Sequence, residues 1–194
     1  MVPRRVEDAE LEILEAASRI LSADGASALT VRRIAGEAGC STMGIYSRFG
    51  GKDGVVDALY AEGFRFLCEG MSALAPTDDP VADLRRCELR YRELALAHAT
   101  HYMVMFGGAV PGFVPSPESK ALAHDAFDRL VASVQRCIDA GAFTGDGREV
   151  AHTLWSAMHG QVMLELVGIN PVGTDPDVQY RDLLDTMIDG LQAR

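Results

Sequence analysis

The chain has 194 residues, 48% of them hydrophobic and 7% aromatic, with a net charge of −10, which is enough material for one large domain or two small ones. No run approaches the roughly 18 apolar residues of a membrane span, and the opening Met-Val-Pro-Arg-Arg lacks the apolar core of a secretory signal. Cys40, Cys68, Cys87 and Cys137 are scattered without a C-x-x-C pair, which argues against a disulfide framework or zinc ribbon and for a reduced cytosol.

Apolar residues recur at helical spacing along the whole chain and no alternating strand stands out, so the expected fold is all-α with about nine helices. The first helix is expected from about Arg5 to Ala23, with Ile13, Ala17, Ile20 and Leu21 on one stripe, ended by Asp24-Gly25. Thr30 is placed to cap a second helix whose Val31, Ile34, Ala35 and Ala38 face inward. Gly39 makes a turn, and Ser41 caps a third helix buried through Ile45 and Phe49. Gly50-Gly51 breaks that helix, and a long fourth one is expected from Lys52 towards Ala75, carrying Val55, Leu59, Phe66 and Leu67.

The Pro76–Pro80 stretch punctuates the chain before a stripe of Val81, Leu84, Cys87, Tyr91, Leu94 and His98. Gly107 to Pro117 is rich in helix breakers and reads as a loop. A helix through Leu122, Phe127, Leu130, Val131, Val134 and Ile138 follows, then another from Arg148 to about Gly168. A loop over 170–177 precedes a last helix striped by Leu183, Leu184, Met187, Ile188 and Leu191.

The most informative stretch is T-V-R-R-I-A-G-E-A-G-C-S-T-M-G-I-Y-S-R-F-G-G-K, from Thr30 to Lys52. Two short helices joined at a glycine, the second with an exposed polar face, describe a helix-turn-helix, a device for entering the major groove of DNA. Charge supports this: the stretch holds four basic residues against Glu37 alone, a local +3, while residues 53–194 hold 11 basic against 21 acidic. Residues 1–52 are therefore expected to form the DNA-binding domain, extending into the linking helix 52–75, with residues 76–194 as a separate C-terminal domain.

At the start of the second helix of this unit, Thr42 and Met43 are placed to touch base edges, including thymine methyls. Gly44 costs about 1 kcal/mol inside a helix relative to alanine, a cost explained by close approach to the groove. Tyr46, Ser47, Arg48 and Lys52 are candidates for phosphate contacts, as are Thr30 and Ser41 at their caps; Arg32 reaches either a phosphate or a guanine.

Two longer runs carry a resemblance. I-L-E-A-A-S-R-I-L-S-A-D-G, followed by L-T-V-R-R-I-A-G-E-A-G-C-S-T-M-G-I-Y-S-R-F-G-G-K-D-G-V-V, resembles the N-terminal domain of tetracycline-repressor-type (TetR family) regulators over about residues 10–66. The family often has His where Arg48 stands, and valine where Cys40 stands. F-G-G-A-V-P-G-F-V-P-S-P-E, D-A-G-A-F-T-G-D and L-W-S-A-M-H-G-Q-V-M-L-E-L-V-G resemble the subgroup named for its Trp-His-Gly motif. The resemblance implies an all-helical homodimer with a ligand pocket in each C-terminal domain and a dimer face on the last long helices. It further implies a repressor released from operator DNA by a small molecule.

The residues themselves allow the same organisation. The 148–168 helix is apolar on more than one face, and packing against a symmetry mate would cover it; Leu154, Met158, Leu184, Met187, Ile188 and Leu191 are the candidate interface. Candidate ligand contacts are those that mix polarity into apolar stripes: His98, Tyr102, Met105, Phe106, Phe127, Trp155, His159 and Met163, suited to a largely hydrophobic effector. A structural role for Trp155 and His159 stays open. The spacing of His98 and His101 invites a metal, but no cysteine or carboxylate supports it, so neither metal nor cofactor is expected. Two alternatives remain: a DNA-binding regulator without a small-molecule ligand, and a helical-bundle enzyme using His98, His101 or His159, for which no nucleophile–base pair is visible.

Overall fold

A computed structural model describes the backbone of residues 6–192 and the side chains of residues 8–192; the expected helix start at Arg5 lies outside them. The described residues form nine α-helices and no strand. In order these are α1 (Val6–Asp24), α2 (Val31–Glu37), α3 (Thr42–Phe49), α4 (Lys52–Ser72), α5 (Pro80–Ala97), α6 (Ala99–Met105), α7 (Pro117–Asp139), α8 (Gly147–Leu166) and α9 (Pro176–Gln192). A single 3-10 turn, Ala26–Ala28, lies between α1 and α2.

They group into two compact units, one of residues up to Arg65 with His98–Ala123, the other of Phe66–Ala97 with residues from His124 onward. The division runs inside α4 and α7 and between α5 and α6, whereas the sequence reading places one boundary after residue 75. Chain punctuation marks where helices stop, whereas packing decides which helices share a core.

In the first unit α1 packs on α2 and α6, and α2 on α3. Ile13, Ala16, Ala17, Ile20, Ile34, Ile45, Val55 and Leu59 are all sequestered in its core. Gly25 ends α1 in the left-handed region at φ 73°, and Gly39, at φ 62°, makes the turn between α2 and α3, conformations that side chains with a Cβ avoid. Phe49, expected to bury α3, is only half-buried, and Ile45 alone of that helix is fully covered.

In the second unit α5, α8 and α9 pack on one another around Leu84, Leu154, Met158, Val162, Tyr180 and Leu184. Asp146 caps α8 by accepting from the backbone N–H groups of Arg148 and Glu149, both at 3.0 Å. The buried stripe of α5 is Asp83, Leu84, Glu88, Tyr91, Leu94 and Ala95, so Val81 and Cys87 of the expected stripe are only half-buried. Asp83 is held there by bonding: it accepts from the Thr77 N–H and hydroxyl, each at 2.7 Å, and pairs with Arg86 and Arg136. Those bonds hold its carboxyl well below the usual range, the Thr77 N–H first among them.

The expected helix through His98 is in fact two helices. His98 has φ −118° and ψ 43°, ending α5 and opening α6 without a side-chain cap.

Candidate nucleic-acid interface

The helix-turn-helix is built by two caps. Thr30 lies in extended backbone and its hydroxyl oxygen accepts from the Arg33 N–H at 3.2 Å, opening α2. Ser41 does the same for α3, accepting from the Gly44 N–H at 3.1 Å. Ile34 and Ile45 are fully buried, so α2 and α3 are anchored through their inner faces. On the outer face Thr42, Ser47 and Arg48 are exposed, Met43 is 72% exposed and Tyr46 53%. Met43 and Tyr46 are three residues apart and so share one face of this short helix, where they leave apolar surface open.

The cations differ in how they are held. Arg33 is paired with the Asp24 carboxylate at the end of α1, and Arg19 with Glu37 at 3.4 Å. Arg48 lies back along α3, its guanidinium donating to the Gly44 carbonyl at 3.1 Å, and the Ser47 hydroxyl donates to the same oxygen at 3.2 Å. Arg32 is exposed and makes no ion pair among the described residues. Lys52 stands half-buried as the first residue of α4.

A residue outside the predicted set fixes the joint between α3 and α4. Gly50 and Gly51 turn the chain at φ 71° and 138°, and a Cβ on Gly54 would lie 1.7 Å from the Phe49 carbonyl oxygen. The first turn of α4 therefore packs directly on the last turn of α3. Gly44 is different: a Cβ there would sit 3.4 Å from Arg48 Nη1 and 3.6 Å from Ser41 Oγ, ordinary contact distances. Among the described residues nothing demands that glycine.

The candidate ligand residues separate by unit. In the first, Tyr102 is 1% exposed and Met105, Phe106 and His98 are half-buried on or beside α6. Phe106 packs on Tyr102 at 4.9 Å and edge-on to Phe64 at 5.6 Å; Tyr60 bridges Phe64 and Phe113 at 5.0 and 5.9 Å. Within this aromatic group His101 Nε2 lies 2.8 Å from a Glu62 carboxylate oxygen, both side chains nearly buried. Asp57 accepts from the Ser116 N–H and from the hydroxyls of Ser116 and Ser119, all at 2.8 Å, tying the start of α7 to α4. Asp57 and Glu62 escape a periodicity search because acids on a helix read as solvated. Their place between the apolar Val56, Leu59, Tyr60 and Phe64 is the signal that could have found them.

In the second unit Phe127, Trp155, His159 and Met163 are half-buried on α7 and α8. Trp155 lies 6.0 Å from Phe127 and 5.5 Å from His159, ring centre to ring centre, and the Arg148 guanidinium covers Phe127 at 5.2 Å. Burial lowers the His159 pKa, favouring neutral imidazole.

The residues expected at a dimer face are otherwise placed. Leu154, Met158, Leu184, Ile188 and Leu191 are at most 7% exposed, covered by the chain's own helices; Met187 is half-buried. An apolar stripe reports that something covers it, and here α5, α8 and α9 cover one another. Among the described residues no three His, Cys, Asp or Glu side chains gather as a metal site would require, and no helix is long and apolar enough to cross a membrane.

Comparison with known proteins decides the family. Residues 13–59 match the bacterial regulatory proteins of the tetR family, and residues 84–191, more than half the chain, match the tetracyclin repressor-like C-terminal domain. The chain belongs to the tetracycline-repressor family. This TetR-family chain is 26% identical over 147 residues to the HTH-type transcriptional regulator Rv1816 of Mycobacterium tuberculosis (strain ATCC 25618 / H37Rv). That match takes in 73% of the chain and 61% of the relative, so it spans about three fifths of the relative's length. A protein of unknown function from Rhodococcus sp. RHA1 is similar in structure at a TM-score of 0.84 with 25% identity, covering 99% of this chain and 100% of that one. The TetR family transcriptional regulator PfmR from Thermus thermophilus shares the fold at a TM-score of 0.72 and 21% identity, covering 92% of this chain and 98% of that one.

Proposed function

We propose that this TetR-family chain is a DNA-binding transcriptional regulator, acting as a homodimeric repressor that a small, largely hydrophobic effector releases from a palindromic operator. The observation that carries the DNA reading is the open face of α3: Thr42, Met43 and Tyr46 project outward while Ile45 anchors the helix from behind. A local charge of +3 over residues 30–52, in a chain of net −10, supports phosphate contact there and discourages indiscriminate adhesion elsewhere. Thr30, Arg32, Ser41, Tyr46, Ser47, Arg48 and Lys52 set register on the backbone, and Gly44 lets α3 come close.

Release follows from the joint at Gly54. Because α3 and the first turn of α4 pack backbone to backbone, a shift of α4 carries the reading helix with it. The Glu62–His101 pair and the surrounding Phe64, Phe106 and Met105 link α4 to α6 and suit an effector that is mostly apolar with a polar group. An effector that binds better to the α4 position incompatible with paired grooves then lowers operator affinity. Twofold symmetry is supported by the outward side chains of α8 and the residue that follows it, where Leu164 is 40% and Val167 47% exposed.

The test is binding of the protein and its Tyr46→Ala and Lys52→Ala variants to the duplex upstream of its own gene. Loss of at least tenfold in each variant is expected; equal binding by both variants refutes the assigned face. A melting screen against apolar carboxylates, amines and aromatic compounds tests the effector, since a ligand at a hundred times its Kd stabilises by about 2.7 kcal/mol.

A further inference from the structure

The face of α3 that the regulator reading assigns to DNA carries hydroxyls but few of the side chains that read a base edge by two hydrogen bonds at once. The strongest major-groove readout through paired donors and acceptors comes from Arg, Lys, Asn and Gln on guanine and adenine edges, whereas Ser and Thr hydroxyls bond to any base and discriminate little. Helix α3 contains no Lys, Asn or Gln, and its Arg48 is folded back onto the Gly44 carbonyl at 3.1 Å. Of the two arginines of α2, Arg33 is held by Asp24, and Arg32 is assigned to the phosphates. What the first turn of α3 does present is the Thr42 methyl and the Met43 thioether chain, the latter 72% exposed, followed by a glycine with no side chain to hold the helix off.

In the major groove one base alone offers an apolar feature, the C5 methyl of thymine. We infer that this chain reads its operator through thymine methyls, with Met43 and Thr42 in van der Waals contact with one or more of them in each half-site. The inference rests on the regulator reading and specifies its partner: a duplex with thymine opposite the first turn of α3. The positive surroundings hold the phosphates, and the apolar pair selects the base. Gly44 fits the same arrangement, because short side chains reach the groove floor only if the backbone comes near.

Uracil differs from thymine by that methyl and pairs identically, so the DNA can be changed while the protein is left alone. The probe is a duplex enriched from a randomised pool by the full-length protein, resynthesised with deoxyuridine for every thymidine. Burying one methyl is worth about fourfold in affinity, so the uracil duplex is expected to bind about fifteenfold more weakly when both half-sites lose one. In Met43→Ala the thymine–uracil ratio should shrink towards one, and the ratio in the unaltered protein should not change with salt, since no charge differs. Equal binding of the two duplexes overturns the inference while leaving the regulator reading in place. A uracil penalty that persists undiminished in both Met43→Ala and Thr42→Ser also overturns it, because the methyl then acts through DNA shape. Failure to enrich any duplex removes the regulator reading and this inference with it.

Discussion

The carbonyl of Phe49 and the Cα of Gly54 are in such close contact that a methyl group on Gly54 would overlap the carbonyl oxygen, at 1.7 Å. This is backbone against backbone, so no rotamer change relieves it. The contact makes α3 and the start of α4 one mechanical piece, which is what the proposed release mechanism needs.

Gly54→Ala is therefore expected to cost about 1–3 kcal/mol, the range for overpacking a close-packed site, and to move α3. Thermal melting and operator binding should both suffer. A variant that melts as the parent and binds as the parent would show that the joint is slack.

Gly44→Ala should behave in the opposite way. Its Cβ meets only Arg48 Nη1 and Ser41 Oγ at ordinary distances, so the helix gains up to about 1 kcal/mol of stability from the better helix former. Operator affinity should fall, because the added methyl stands between α3 and the groove. Higher melting temperature together with weaker DNA binding is the expected pair; unchanged binding refutes the close-approach role.

What the amino-acid order discloses here is mostly local. Thr30, Ser41, Gly25, Gly39 and Gly50 act on backbone groups within a few residues, and each helix end they mark is found where expected. The break at His98 is invisible in the sequence because His98 makes no side-chain cap and no glycine or proline marks it. Burial on α5 departs from the apolar stripe because Asp83 is drawn inward by Thr77, Arg86 and Arg136, residues that only the fold brings together. The stripes of α8 and α9 are legible as apolar, but whether Leu154 and Leu184 meet each other's helices or a second chain is a tertiary fact. Thr42, Met43 and Tyr46 can be located from motif spacing; that Arg48 turns back on its own helix cannot.

Asp57 offers a way to loosen the first unit without touching the DNA face. Its carboxylate takes three donors from Ser116 and Ser119, and Ser119 is 4% exposed. Asp57→Ala leaves those donors with no acceptor, a cost of about 1–3 kcal/mol. Hydrogen exchange should quicken at the amides of 116–119, with little change at α2 and α3. Unaltered exchange there would mean the clamp is redundant.

Asp83 should govern part of the acid limb of stability. Its folded pKa is depressed, so its contribution is fully present above the ordinary value of 3.8 and disappears as pH falls through the folded value. Asp83→Asn is expected to melt lower at pH 7, and the gap between the two melting curves should begin to close as the pH falls below 3.8. A gap that stays constant with pH would place the effect in packing rather than charge.

Glu88 should have the opposite sign. It is 5% exposed in the second unit, and burial pushes its carboxyl up from 4.5 to about 8. Below pH 4.5 both the folded and unfolded states hold the proton and Glu88 has no pH-dependent effect. Between 4.5 and 8 the unfolded chain releases the proton and the folded chain retains it, so stability declines as pH rises. Above 8 the penalty is constant, on the order of 5 kcal/mol if the whole difference is expressed. Glu88→Gln has the shape of the protonated acid and cannot ionise, so it should match the parent near pH 4.5 and exceed it at pH 8. Urea denaturation at those two pH values measures the difference directly. The Tyr180 hydroxyl, which donates to the Glu88 carbonyl at 2.8 Å, bonds backbone and is preserved in the variant. Parallel stability–pH profiles for the two proteins would therefore mean that the Glu88 carboxyl ionises in the folded chain as readily as in water.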